Sequence, residues 1–262
     1  MSGAARVVLV TGGARGLGRT LAGAFAARGD RVVVCGRSAP DGEAPGGFIR
    51  CDVRDPDQVA GLVETVAERY GALDVVVNNA GGTPYADATT MSPRLFERVV
   101  ALNLLAPFYV AQQANALMQQ QSAGGVIVNI GSTVSVRPST HVAPYVAAKA
   151  GLVGLTRALA LEWAPKVRVN QVSPGLLRTE LVEETYGSNV AAVESTVPMG
   201  RLATGEDVAA ACLMVASPDM AYLTGANLVI DGGGETPAWL MAVERRADPP
   251  DGASVRLTQG GE

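Results

Sequence analysis

Short apolar runs alternate along most of the chain with longer segments whose apolar positions recur every three or four residues. Continuous apolar runs mark strands buried on both faces, and the longer segments read as the helices that cover them. The runs are Val7-Val8-Leu9-Val10, Arg31 to Cys35, a short Phe48 to Cys51, Leu73 to Val77, Val126 to Ile130, Val167 to Val172 and Leu228 to Ile230. After the first run, Leu17, Leu21, Ala24 and Phe25 keep helical spacing up to Gly29. Asp55-Pro56 has the cap and first-turn proline of a helix whose buried stripe is Val59, Leu62, Val63 and Val66. Ser92-Pro93 opens a long helical region carrying Phe96, Val99, Val100, Leu104 and Phe108, which runs to Gln119-Gln120-Gln121. An Ala-rich segment ending at Trp163 reads as another helix, and Thr204 with Asp207 forms a capping box for one through Ala216. The pattern predicts a single α/β domain over residues 1–234, with a seven-stranded parallel sheet, doubly wound, between helices on both faces. Residues 176–200 have weak periodicity and read as a mobile cover over a site at the strand ends; 235–262 read as a tail.

Composition narrows the function. With 48% apolar and 18% charged residues in 262, the chain can bury a large core, and none of its apolar runs is long enough to cross a bilayer. The first ten residues lack a signal-peptide layout, because the apolar stretch is strand-length and leads straight into a glycine motif. A net charge of −4 without any basic block argues against nucleic acid. Cys35, Cys51 and Cys212, odd in number and dispersed, suggest free thiols in a reducing, cytoplasmic compartment. One histidine, His141, and no Cys/His cluster make a metal site improbable, and no Gly-x-Ser-x-Gly elbow serves a hydrolase.

The stretch Thr11-Gly12-Gly13-Ala14-Arg15-Gly16-Leu17-Gly18 joins a strand to a helix. Such a turn lets backbone amides approach a pyrophosphate at the positive end of the helix. At the end of the second strand an acidic residue would receive the ribose hydroxyl of NAD, whereas arginine accommodates the 2′-phosphate of NADP. Here Arg37 stands in that place and Arg15 is in the glycine turn, which favours NADP(H) unless both are solvated surface residues. Asn78-Asn79-Ala80-Gly81 after the fourth strand would let a flat ring pass close to the backbone, and an ordinary turn fits the same residues.

Tyr145 and Lys149 share a helix face at i and i+4, so the ammonium is expected to lower the phenol's pKa and make it an acid–base catalyst. Ser132 ends the fifth strand thirteen residues upstream, at the strand edge where ligands collect. Asn103 places a polar group on the apolar side of its helix and needs a partner there.

Taken in order, these motifs resemble the short-chain dehydrogenase/reductase family over roughly residues 5–234. The resemblance implies a Rossmann-type fold and a nicotinamide cofactor. It implies that Tyr145 protonates a carbonyl oxygen, that Ser132 binds that oxygen, and that Asn103 holds a water in a proton relay. Lys149 would bind the nicotinamide ribose and tune Tyr145. Asp52 and Val53 would border the adenine, Asn79, Ala80 and Gly81 the adenosine ribose side, and Pro174, Gly175 and Thr179 the nicotinamide end. A homo-oligomer, tetramer or dimer, is implied too. The uncharged stretch Gln119 to Gly124 favours a small-molecule ketone or secondary alcohol over a carrier-bound 3-oxoacyl thioester. The apolar tilt of Val134, Val136, Leu176, Leu177, Leu181 and Val182 suggests a substrate with an apolar body. Arg137, His141, Tyr186 and Trp239 are further pocket candidates without an assigned role. An NAD-dependent alcohol dehydrogenase and a non-catalytic nucleotide-binding scaffold are the rival readings.

Overall fold

The structure is a computed structural model that describes residues 5–40, 42, 47–179, 187–237 and 240. Its seven strands are β1 (Val7–Thr11), β2 (Arg31–Gly36), β3 (Phe48–Arg50), β4 (Val75–Asn78), β5 (Gly125–Ile130), β6 (Val167–Pro174) and β7 (Asn227–Ile230). They form one sheet in the order β3-β2-β1-β4-β5-β6-β7, and every pairing is parallel. The chain turns back between β1 and β4, so both halves of a doubly wound Rossmann-type sheet are present.

Strand alternation divides the core in two. Val7, Leu9, Val33, Val76, Ile127 and Val169 face α2 (Pro56–Tyr70), α4 (Ala106–Met118) and α5 (Ala143–Trp163). Val8, Val10, Val32, Val34, Val77 and Val128 face α1 (Gly16–Ala27) and α7 (Gly205–Val215). The expected stripe on α2 is buried at all four positions, and Asp55 caps that helix through the amides of Asp57 and Gln58. Thr204 and Asp207 make the expected capping box at the start of α7. Between them, the short α6 (Val190–Glu194) and the bridge from Leu177 to Ala203 organise the described part of the segment expected to cover the site.

The helix expected from Ser92 to Gln121 is not continuous. Ser92 caps α3 (Pro93–Val100), and a π-helical turn, Ala101–Leu105, then separates it from α4. Asn103 sits in that turn, wholly buried. Such turns insert an extra residue into a helix and re-aim side chains, often at functional sites.

A row of amides, three of them buried and Asn227 half-buried, crosses the sheet near its C-terminal edge. Asn78, Asn129, Gln171 and Asn227 stand level with one another on four neighbouring strands. Asn78 Nδ2 donates to Asn129 Oδ1 at 2.9 Å, and Asn129 Nδ2 donates to the Thr156 hydroxyl at 2.9 Å. Thr156 reaches Gln171 Oε1 at 3.5 Å, Gln171 Nε2 donates to Ser173 Oγ at 2.9 Å, and Ser173 Oγ donates to Asn227 Oδ1 at 2.6 Å. Replacing Asn129 with leucine would remove the donor to the Thr156 hydroxyl and the acceptor of one Asn78 amide bond. A buried polar group left unpaired costs about 1–3 kcal/mol. Asn129→Leu is therefore expected to lower stability by about 2–3 kcal/mol, read as a shift in the urea midpoint.

Candidate active site

The strand ends at the C-terminal edge carry the candidate residues, and the glycine turn after β1 is knitted to the end of β4. Thr11 Oγ1 accepts from the amides of Asn79 and Ala80, both at 3.0 Å, and Asn79 Nδ2 donates to the Thr11 carbonyl at 2.9 Å. The threonine thus ties the two halves of the nucleotide crevice together. Gly12 has φ +64°, and a Cβ on Gly18 would overlap the Gly12 carbonyl oxygen, so α1 starts directly on the turn. Arg15 occupies the N-cap position without a side-chain cap, which leaves the first-turn amides of α1 without a partner from that residue. Asn79 is first a brace for the glycine turn; its amide is spent there.

At the adenosine end, Val53 is buried and Asp52 lies just beyond β3. Two Arg54 hydrogen bonds, Nε at 2.9 Å and Nη2 at 2.5 Å, hold the Asp52 carboxyl below its ordinary range; Arg37 contributes a smaller lowering. Arg37 is therefore close to Asp52, as the end of β2 predicts. Arg15 and Arg37 are exposed, and neither takes part in an ion pair among the described residues. Across the crevice, a Cβ on Gly81 would come within 2.8 Å of Asn103 Oδ1 and 3.6 Å of Lys149 Nζ. A bare backbone there leaves the width that a flat ring or ribose needs.

Asn103 is a clamp. Its Oδ1 accepts from the Gly82 amide at 3.0 Å, and its Nδ2 donates to the carbonyls of Gly82 at 2.9 Å and Val99 at 2.9 Å. It fixes the strand-four loop against the π-helical turn.

Ser132, Tyr145 and Lys149 come together as expected. Ser132 caps a single turn of 3₁₀ helix, Thr133–Ser135, and its hydroxyl faces the Tyr145 phenol, where it lowers the pKa. Lys149 Nζ lies 5.5 Å from the centre of the Tyr145 ring and donates to the Ile130 carbonyl at 2.7 Å. Lys149 is only 3% exposed, and none of the ion pairs among the described residues includes it. Burial without a counter-charge lowers its pKa from 10.5 to about 8.

The expected lowering of the Tyr145 pKa by Lys149 is not what the structure has. Burial raises the Tyr145 pKa, and the Ser132 hydrogen bond opposes that rise. Desolvation is the larger effect because Lys149 points its ammonium at a backbone carbonyl and is itself poorly solvated. The phenol is therefore kept protonated, the form in which it can donate.

The apolar pocket expected from residues 134–182 is only partly present. Leu177 turns into the core against the α1–α7 layer, and Val136 is 66% exposed. Leu181, Val182, Tyr186 and Trp239 lie outside the described residues. His141 is exposed with φ +62°, and its carbonyl accepts from the Ala86 amide. Pro174 is buried at the end of β6, Gly175 packs on Asp231, and Thr179 is exposed. Arg137 has a definite place: its guanidinium is paired with Asp231 and, at 3.5 Å, with Glu235. Ninety-four residues separate Arg137 from Asp231, and no local signal could have joined them. Among the described residues no group of His, Cys, Asp and Glu could hold a metal ion, and no helix is long and apolar enough to cross a membrane.

A buried lysine lowers stability until it is deprotonated. Between pH 8 and 10.5 the unfolded chain binds the Lys149 proton and the native protein does not, so stability rises with pH across that window. The fall from 10.5 to about 8 corresponds to about 3 kcal/mol. Lys149→Met, which also loses the Ile130 hydrogen bond worth about 1 kcal/mol, is expected to stabilise the cofactor-free protein by about 2 kcal/mol at pH 7. Urea unfolding should show that gain shrinking as the pH approaches 10.5.

Comparison with known proteins agrees with this arrangement. The family model described as Enoyl-(Acyl carrier protein) reductase matches residues 12–235. The chain is 37% identical to D-threitol dehydrogenase of Mycolicibacterium smegmatis over 87% of its length and 92% of that protein. It is 33% identical to 3-oxoacyl-(acyl-carrier-protein) reductase of Vibrio harveyi over 87% of its length and 96% of that protein. The ligand-free structure of aldohexose dehydrogenase from Thermoplasma acidophilum superposes with a TM-score of 0.84 at 30% identity, covering 96% of this chain and 98% of that one. The chain belongs to the short-chain dehydrogenase/reductase family, a family of oxidoreductases that use a nicotinamide cofactor.

Proposed function

We propose that this protein reduces a small-molecule ketone, or oxidises the corresponding secondary alcohol, with NADP(H), and that Tyr145 is its general acid and base. One observation carries the reading: the Tyr145 phenol faces Ser132, with the buried Lys149 ammonium 5.5 Å from the centre of its ring. The nicotinamide supplies or removes hydride at the substrate carbon when it is bound. Ser132 and Tyr145 both present hydroxyls to the substrate oxygen and stabilise the negative charge that grows on it. Tyr145 gives its proton to that oxygen in reduction and takes it back in oxidation. Lys149, close to Gly81, is within reach of the ribose that would lie over this glycine. Asn103 serves by holding Gly82, and any relay water would take the carbonyl of its π-helical turn rather than its occupied side chain.

The end of β2 favours the phosphorylated cofactor, since neither Arg15 nor Arg37 takes part in an ion pair among the described residues and Arg37 stands where an NAD-selective site would carry an acid. The oxidative reading with NAD⁺ needs both arginines to be idle. Exposed Phe96, Leu105 and Leu161, at 42%, 40% and 84%, lie on the helices expected to meet in a tetramer or dimer and support that assembly. The three cysteines are free and buried, in keeping with a reducing, cytoplasmic setting.

Fluorescence titration tests the cofactor. A charge-assisted hydrogen bond contributes roughly 1.5–3 kcal/mol, so NADPH should bind at least about tenfold more tightly than NADH. Arg37→Asp should reverse that order; an unchanged preference would mean that the phosphate is read elsewhere. Tyr145→Phe tests the acid. Turnover should fall by at least about a hundredfold with cofactor affinity retained, and substantial residual turnover would remove Tyr145 from its role.

A further inference from the structure

Arg137 stands one turn beyond Ser132, and its amide donates to the Thr133 carbonyl at 2.9 Å. From there its side chain crosses to Asp231, directly after β7, where Nη2 meets Oδ2. Its Nε faces Glu235 at 3.5 Å, and a Cβ on Gly234 would overlap the guanidinium. Because β6 lies between β5 and β7, this bridge passes over the end of β6. Gly175 stands there, and a Cβ on it would come within 2.7 Å of Asp231 Cβ. The far side of the cluster is closed by the covering segment. Thr236 donates to the Thr196 carbonyl at 2.7 Å, and Met199 donates to the Gly232 carbonyl at 3.2 Å. A cation and two carboxylates therefore wall the strand edge next to Ser132, where the apolar reading of the sequence expected aliphatic side chains.

These groups remain partly open: the side chains of Arg137, Asp231 and Glu235 are 40%, 17% and 36% exposed. An apolar substrate body laid against them would strip their water and return no hydrogen bonds, which is costly for charged groups. Hydroxyl groups would replace that water, donating to the carboxylates and accepting from the guanidinium. Resting on the oxidoreductase reading above, we propose that Arg137, with Asp231 and Glu235, is the specificity element of the pocket and selects a polyhydroxylated ketone or alcohol.

The test is the reduction of ketones matched in skeleton and different in hydroxyl content: 1,3,4-trihydroxybutan-2-one against butan-2-one, and pentahydroxycyclohexanone against cyclohexanone. Bulky, hydroxyl-free trans-1-decalone is added, and each ketone is assayed with NADPH and with NADH. The hydroxylated member of at least one pair should have a kcat/KM at least about tenfold higher. Arg137→Met should raise KM for that substrate by about tenfold or more, with kcat less affected and the cofactor Kd unchanged. Asp231→Asn, nearly the same shape, should move KM in the same direction if the methionine variant fails to fold. A parallel loss on both members of a pair, restored for both by Arg137→Lys, would make the bridge a structural clamp and overturn the assignment. So would turnover of decalone with both hydroxylated ketones inert, a result that leaves the oxidoreductase reading standing. If no ketone is reduced by protein that binds NADPH, the oxidoreductase reading falls and takes this assignment with it.

Discussion

The amide row that crosses β4, β5, β6 and β7 holds the strand ends of this protein level. A parallel strand that slips by one residue turns every side chain to the opposite face of the sheet. Apolar strands rich in valine resist such a slip weakly, because Val-for-Val exchange on the core faces costs little. Asn78, Asn129, Gln171 and Asn227 do not exchange so easily, since each would leave a buried polar group without a partner. One rung beyond them the chain emerges as Asn79, Ile130, Val172 and Leu228, and the site residues follow within a few positions. Placement of Ser132 relative to Gly81 and Gly175 is thus a consequence of hydrogen-bond accounting in the sheet.

On that frame the electrostatics of the site follow from burial. Among the described residues Lys149 has no carboxylate partner, and it donates to the Ile130 carbonyl at the end of β5. A counter-ion would hold the ammonium fully charged and occupy the space beside it; a carbonyl orients the group and leaves its remaining protons available. The cost is a pKa lowered to about 8. Tyr145 moves in the opposite direction for the same reason, because burial disfavours the charged form of each. The two shifts move the phenol and the ammonium further apart in proton affinity than they are in water, with the proton held on the phenol. Under the proposed mechanism, a proton leaving Tyr145 would need stabilisation of the phenolate, and Ser132 is the one neighbour that already lowers its pKa.

Much of the fold was legible because its signals are local. Asp55-Pro56 and Thr204 with Asp207 announce helix starts within four residues, and a run such as Val75-Val76-Val77 admits little but a buried strand. The site was legible where its residues share an element, as Tyr145 and Lys149 do, or follow a strand, as Ser132 does. What escaped was set by distance in the chain or by solvation. The π-helical turn at Ala101–Leu105 answers to Asn103 meeting Gly82, twenty-one residues away. The Thr11–Asn79 brace and the amide row join residues dozens of positions apart. The direction of the Tyr145 shift depended on how deeply the phenol is buried, which spacing does not state.

Arg137 shows why apolar composition in a loop is a poor guide to a pocket. Val134, Val136, Leu176 and Leu177 suggest an aliphatic wall when read in a row, yet a loop has no fixed period to aim its side chains. Leu177 spends its surface on the core beneath, while Val136 faces outward. Next to Val136, Arg137 reaches Asp231, a contact that could be placed only once β7 was known to lie two strands from β5. Three charged groups at a strand edge are costly to cover with hydrocarbon, and an edge already lined by the hydroxyls of Ser132 and Tyr145 extends naturally into one that prefers further hydroxyls. Catalysis and selection would then use the same chemistry, with the reacting oxygen held by Ser132 and Tyr145 and its neighbours held by Arg137 and its two carboxylates.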